Sequence, residues 1–576
     1  MVFAAGYSHA APNRFSPDWG ENSSRFWELT AAARTGNLDE ALESILSAKD
    51  NRVSNLDDAR LLFSASLLKD VVRAGGSVWV RDSRLLVSWP DWEGPAGRQN
   101  AQAAMAAARE LRPLTSLEIA RVQPLFVTDL TGDQLGQVIA EGVIELVSAS
   151  LTHPSGIRYA EAFSAALRYW TMPYRGRTGR MRRFVLTITH PILGPHPVVA
   201  GILELGDEAP FCTWRDDLLG LSNSSLLRWA SDSPADNARA AANRLRSIRE
   251  TLRPTSKGWS LASLPYQKVL KSRMEIELQA HGRSLVNSED TELLKDRKRL
   301  IYGLRLARGE FALTQFADGK REFDLRDSDL TAGVRALHDL LLPRLHMEAT
   351  ICGAVPPFAE AYGGKLLTSF LTHPDVIAAP LATESQLVAW SFDLDRLSDL
   401  LPQHGMLCLT TKGLYAGHAA IYNRATAPGR NGPIRIEHVA NTEGTTTTFL
   451  SKLTMQLARR VLDAAGQTRV SMVYGSGGSK RHRSIESALV LCGLTPRIAM
   501  AGIRRPVYAL RFVSNPTEVC WAGAEPDWLV APGQNIAEFC NRATTLWRSR
   551  WLNKAVQHVR EYAIVPCLIR HLKQGV

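Results

Sequence analysis

Two apolar segments in tandem, RRFVLTITHPILG and HPVVAGILELGD, constrain this chain more than any other feature of it. From Arg182 the chain is rich in Val, Ile, Leu and Phe; a Pro-bounded turn follows, and a second run of the same kind closes at Asp207. Runs this apolar lack the polar alternation of a half-exposed strand, so they read as a hairpin in a sheet covered on both faces. The covering layers must come from the rest of the chain.

Residues 1 to about 20 are polar, rich in Pro, Gly and Ser, and aperiodic, which reads as a frayed arm. A helix is expected over Asp57 to Arg73, stopped by Gly75 and Gly76. SVWVRDSRLLVSWP then reads as strand, Asp82-Ser83 turn, strand. A helix feeding a two-stranded ribbon is the outline of a DNA-reading wing and equally of a plain α/β unit. Helices are expected again over Asn100 to Leu111, Ser116 to Ile119, Gly132 to Ser148 and Tyr159 to Trp170. From about Ser231 to Leu345 the pattern is helical and charged, and Lys295, Arg297, Lys298, Arg299, Arg305 and Arg308 form a cationic helix. That helix is either a phosphate-tracking surface or a solvated face. Strands resume near Met347, and the chain closes with a helix ending in TLWRSRWLNKAVQHV. The expected architecture is α+β: a helical N-terminal region (1–155), the first part of a mixed-sheet core (156–230), a basic helical insertion (231–345) and the rest of the core with C-terminal helices (346–576).

Charge narrows the partners. Across 576 residues, 68 Lys and Arg against 57 Asp and Glu leave a formal charge of +11, which favours a polyanion, first of all nucleic acid and in particular DNA. No run approaches the ~18 apolar residues of a membrane span. Even Val198 to Leu205 contains Glu204, so no membrane partner is expected. The seven cysteines include no CxxC pair and the histidines no HExxH, so neither a disulfide framework nor a metal site is announced. The N-terminus lacks a basic segment followed by an apolar one, which points to the cytoplasm.

Two glycine turns are candidate anion sites: Gly363-Gly364-Lys365, and Gly475 to Gly478 followed by Lys480, Arg481 and Arg483, with Gly475 and Gly477 as the cradle. A glycine turn opening a helix offers free N–H groups and the positive end of the helix dipole. Neither is a Walker A loop, because Gly364-Lys365 is followed by Leu366 and Ala359 occupies the first glycine position. Tyr422, Asn423 and Arg424 supply a phenol, an amide and a guanidinium at a strand end. Arg215 and Asp216, in TWRDD, offer a phosphate ligand and a candidate base. Arg180 and Arg183 sit in a basic cluster from Arg175. Glu437, His438 and Glu443 place a histidine between carboxylates, either as a general base or as a satisfied structural group. Any catalysis is assigned to Asp216, Tyr422 and Arg424; no cofactor is identified.

These segments together resemble the DruA family of the Druantia anti-phage defence systems, whose core domain also occurs beside transposase domains. The resemblance rests on LRYWTMPYRGRTGRMRRFVLTITHPILGPHPVVAGILELGDEAPFCTWRDDLLGLS, CGAVPPFAEAYGGKLLTSFLTHPDV, LCLTTKGLYAGHAAIYNR, VYGSGGSKRHRSIESALVLCGL, RRPVYALRFVSNPTE and TLWRSRWL. They keep the family's order over about 160 to 552, with a weaker likeness at 57 to 90. The chain departs from the pattern at Asn441 to Thr448, where the family usually shows a second glycine and a histidine. The resemblance implies a role in phage defence, alongside other defence-system subunits, and names a pathway more firmly than a reaction. The strand order also resembles the acetyltransferase-like (GNAT) fold, in which the turn before the central helix holds a pyrophosphate. Three functions follow: a DNA-recognition or effector subunit, a group-transfer enzyme with a pyrophosphate-bearing cofactor, or a transposition-related DNA-processing enzyme.

Overall fold

The apolar pair forms the middle of a seven-stranded mixed sheet. The computed structural model describes residues 28–29, 31–32, 37–48, 55–81, 84–92, 96–107, 114–149, 154–169, 181–207, 212–252, 291–324, 326–381, 405–413, 421–442, 449–467, 480–494 and 502–574. Its strands are β1 (Ser77–Arg81), β2 (Arg84–Ser88), β3 (Val143–Ser148), β4 (Met181–Thr189), β5 (Val198–Gly206), β6 (His346–Ala354), β7 (Cys408–Lys412), β8 (Thr426–Gly429), β9 (Gly432–Arg435), β10 (Glu437–Asn441) and β11 (Pro506–Arg511). The sheet order is β3-β4-β5-β6-β7-β11-β10, and β1-β2 and β8-β9 are separate ribbons. All neighbours in the sheet are antiparallel except β6 and β7, which run parallel from His346↔Cys408 to Ala349↔Thr411. The fold is α+β, as the sequence indicates.

β3 corrects one expectation. Gly132 to Ser148 reads as a single helix, but the helix ends at Glu141 and Val143–Ser148 joins the sheet edge. Thr131 and Gln134 cap that helix reciprocally at its start, while Ile144 and Leu146 turn inward and Val143 and Glu145 outward with the period of a strand.

Twelve helices matter to the argument: α1 (Leu56–Arg73), α2 (Gly132–Glu141), α3 (Pro154–Tyr169), α4 (Thr213–Leu218), α5 (Pro234–Thr251), α6 (Thr291–Ala317), α7 (Ser328–Leu345), α8 (Phe358–Tyr362), α9 (Lys365–Ser369), α10 (Lys452–Ala464), α11 (Lys480–Leu491) and α12 (Ile536–Val559). One face of the sheet, with Phe184, Leu186, Leu409, Tyr508 and Leu510, packs on residues of α2, α8, α9 and α12. Adjacent residues point the other way: Val185, Val199 and Ile202 meet α3, while Cys408 and Ala509 meet the bundle of α5, α6 and α7. Both faces are therefore covered, as the apolar hairpin requires.

The bundle takes up two members of the cationic helix, Arg299 and Arg308. Arg299 is 3% exposed. Arg308 Nε donates to Asp329 at 2.8 Å, and Glu310 of α6 accepts from Arg246 at 2.7 Å and Arg249 at 3.1 Å. Arg308, Arg246 and Arg249 thus tie helices of the bundle together; the side chains of Lys295, Arg297 and Lys298 lie outside the described residues. Where α6 crosses α7, a Cβ on Gly309 would stand 2.6 Å from Gly333 Cα, so only glycine permits the approach. The helix-and-ribbon unit at α1 packs against α10 and α11. Asp70 of α1 accepts from Ser451 N at 2.7 Å and Thr454 Oγ1 at 2.6 Å; burial raises its carboxyl pKa, against the pull of these bonds. Among the described residues no helix is long and apolar enough to cross a membrane.

Candidate nucleic-acid interface

The chain leaves β6, forms α8 and turns at Gly363 (φ +52°) and Gly364 (φ +82°) into α9. Left-handed backbone at two successive positions is what glycine permits at little steric cost. A Cβ on Gly364 would lie 3.0 Å from Ile421 Cδ1, so the turn abuts the segment carrying Tyr422, Asn423 and Arg424. Tyr422 is 6% exposed; its Oη accepts from Thr411 Oγ1 of β7 at 2.9 Å, and its ring lies 5.2 Å from that of Tyr508. Its buried hydroxyl anchors the segment. The turn closes with Ala425 N donating to Tyr422 O at 3.0 Å, and Arg424 is left at φ 63°, the one non-glycine residue with positive φ among the described residues. Such a conformation is strained and persists when its surroundings hold it.

α12 completes the cluster. Lys365 Nζ lies 3.6 Å from the centre of the Trp551 ring, Arg550 Cζ lies 5.6 Å from it, and Arg550 donates to Thr426 Oγ1 at 2.7 Å. Lys554 is one turn beyond Arg550 and shares its helix face. Burial, then the charges of Arg424, Arg550 and Lys554, hold the Lys365 ammonium below its usual pKa. Among the described residues none of these four cations has a carboxylate partner. Uncompensated like charges beside an aromatic ring suit a polyanion.

The basic stripe continues along α12. Arg542 precedes Arg550 by eight residues, about 12 Å along the axis. It donates to Gly429 O at 2.6 Å and Gln534 Oε1 at 2.9 Å. The β8-β9 ribbon thus lies along α12, tied by one arginine at each end of β8, with Arg430 and Arg435 exposed on it. Asn423 is exposed beside Arg424.

The other candidates fall elsewhere. Arg215 and Asp216, read from sequence as a phosphate ligand and a base, are buried in α4 on the opposite face of the sheet. Arg215 donates to Asp216 Oδ1 through Nε at 2.9 Å and a terminal nitrogen at 2.6 Å. His338 Nε2 is 3.1 Å from the same oxygen, its Nδ1 is 3.1 Å from Asp339 Oδ1, and Tyr302 donates to Asp339 at 3.1 Å. Burial alone would raise Asp216, but the bond from His338 and the charge of Arg215 outweigh it and lower its pKa. Burial alone would lower His338, but the two carboxylates outweigh it and raise its pKa. The quartet of Arg215, Asp216, His338 and Asp339 does not converge with Lys365. Arg183 is paired with Glu204 at 2.9 Å and lies over Phe163 at 5.1 Å. His438 meets Asn441 Oδ1 at 3.3 Å, and Glu437 pairs with Arg511 at 3.6 Å. Arg180, Glu443, Gly475 and Gly477 lie outside the described residues, as do the side chains of Lys480, Arg481 and Arg483 at the start of α11.

Arg550, Trp551, Lys554, Arg430, Arg435 and Arg542 were not legible as a site. The available signal was the spacing of Arg550 and Lys554 around Trp551, which puts two cations and an aromatic ring on neighbouring helix positions.

No family model matches the chain, and no solved structure matches it. Druantia protein DruA of Escherichia coli (strain UMEA 4076-1) is 24% identical over 183 residues. The match takes in 31% of this chain and 43% of the relative, so the chain spans less than half the length of the curated protein it matches. The likeness is that of a distant DruA-like relationship.

Proposed function

We propose that this protein serves in anti-phage defence as a DruA-like subunit that binds DNA through its phosphates, at the surface formed by Lys365, Arg424, Arg550 and Lys554. The observation that carries this reading is the convergence of Lys365 and Arg550 on Trp551, with Arg424, held in strained backbone, and Lys554 near enough to act on the Lys365 ammonium, and no carboxylate partner for any of the four among the described residues. The distant DruA likeness supports the pathway, and the net charge of +11 supports the ligand. Partner subunits of the same defence system fit this role.

A group-transfer enzyme holding a pyrophosphate at the Gly363-Gly364 turn has less support. The Gly363 N–H is already donated to Ala359 O at 3.0 Å, and the five residues of α9 are too few for an anion-binding helix start. The buried Asp216 is on the other face of the sheet. The test is binding of a 20-base-pair duplex by fluorescence anisotropy across a salt series. Four phosphate contacts, one for each cation of the surface, give a log–log slope of about −3.6 and a loss of about 150-fold between 50 and 200 mM salt. The Lys365→Ala, Arg424→Ala double variant should flatten the slope by about 1.8. An unchanged slope, or stabilisation by coenzyme A and not by DNA, refutes the proposal.

A further inference from the structure

An open groove of about 480 Å³ lies at the far end of the basic stripe. Arg430, Trp528, Pro532, Gln534, Glu538 and Arg542 line it. We infer that this groove receives an unstacked nucleobase from a single strand whose phosphates run along the stripe from the Lys365 cluster. The inference rests on the phosphate-binding reading above and names the form of nucleic acid that the surface takes.

Four observations carry it. The volume falls within the range of small-ligand sites, about 300–1,000 Å³. The groove is not a point apart, because Arg542 in its wall stands on the same helix as Arg550 of the cluster, two turns away. That separation of about 12 Å spans a short stretch of strand, not one small anion. Finally, the lining divides by chemistry. Half-buried Trp528 and Pro532 present apolar surface to a base, while Arg430 is exposed at the rim, has no ion pair among the described residues, and is fixed through its backbone N–H to Leu529 O at 2.7 Å.

The groove also carries an edge-reading group. The Glu538 carboxylate is exposed there and accepts but does not donate, and its backbone is set by the cap from Asn535 Oδ1 at 3.1 Å. A carboxylate favours a base with an exocyclic amino group, such as cytosine, over thymine, whose corresponding edge atom is an acceptor. In a duplex that edge is already paired and the base is stacked, so the groove distinguishes single strands from duplex.

The experiment measures anisotropy of the full chain with four labelled probes of equal length: oligo-dC, oligo-dT, an abasic strand and a duplex. The expected order is oligo-dC tightest, with the abasic strand weaker by about five- to 140-fold, the worth of one stacked base. Glu538→Gln should equalise oligo-dC and oligo-dT. Arg430→Ala should weaken every single strand that reaches the groove, including the abasic one. Because Trp528 packs on both core clusters, Trp528→Ala is read only if its melting temperature is retained, and the exposed Glu538 and Arg430 variants keep the test decisive. Lys365→Ala should weaken all four probes together, which separates the phosphate surface from the groove. Equal binding of oligo-dC and the abasic strand, or duplex binding as tight as oligo-dC, overturns the groove assignment while leaving the phosphate surface standing. Binding of no probe at low salt overturns both.

Discussion

Replacing Asp216 with alanine tests whether its carboxylate is a structural counter-ion or a reactive group. The carboxylate receives two guanidinium nitrogens of Arg215 at 2.9 and 2.6 Å and faces His338 at 3.1 Å, and Arg215 is 0% exposed. The substitution therefore takes from buried Arg215 the carboxylate that receives two of its guanidinium nitrogens, and removes one of the two carboxylates that raise the His338 pKa. Breaking a buried pair from one side costs about 3–5 kcal/mol, a third or more of the total stability of many domains. With a urea dependence of about 3 kcal/mol/M, the unfolding midpoint followed by circular dichroism should fall by at least about 1 M. Glu437→Ala, which removes the exposed 3.6 Å pair with Arg511, is the control and should shift stability by less than about 1 kcal/mol. A loss below about 1 kcal/mol for Asp216→Ala would mean that water reaches the quartet, and would return Asp216 to the list of reactive groups.

Three further outcomes are expected. Arg424→Gly should raise stability by about 0.5–1 kcal/mol, because relief of left-handed strain exceeds the entropy that glycine adds to the unfolded chain, yet should weaken DNA binding; chemical denaturation and anisotropy on one sample check both. Gly309→Leu should destabilise by at least about 1–3 kcal/mol by forcing α6 from α7, read as a drop in melting temperature. The quartet also sets a pH window. The contribution of His338, whose folded pKa is raised, is complete below its unfolded value of about 6.5 and is lost as the pH rises through the folded value. That of Asp216, whose folded pKa is lowered, is complete above about 3.9 and is lost as the pH falls through the folded value. Thermal unfolding of wild type and His338→Asn across pH should converge at high pH; a constant difference would refute the assignment.

The legible and illegible parts of this chain divide on physical grounds. The β4-β5 hairpin was readable because burial on both faces demands continuous apolar residues, and the sequence writes that demand locally. β3 was not, since Val143 to Val147 continues the apolar pattern of α2 and only the neighbouring strand separates the two periods. The Gly363-Gly364 turn and the Tyr422 to Arg424 segment were both visible, but their meeting depends on Ile421 packing into the space that Gly364 leaves, which no local pattern records. Arg215 misled because charge normally marks a surface, whereas here a six-residue helix too short to show a periodic face buries it against His338.

The one parallel junction in the sheet has a mechanical consequence. β3 to β6 and β7-β11-β10 are two antiparallel plates, and the one strand pairing between them among the described residues is the short parallel register from His346↔Cys408 to Ala349↔Thr411. Lys365 follows the last strand of the first plate through α8, and Arg424 follows the first strand of the second through Tyr422, whose hydroxyl is bonded to Thr411. An anion gripped by both side chains would be a strap across the weld, and occupancy of the surface should stiffen the joint between the plates. Amide hydrogen exchange in β6 and β7 should slow when DNA is bound and stay unchanged in strands remote from the junction, so that the sheet itself reports whether the surface is loaded.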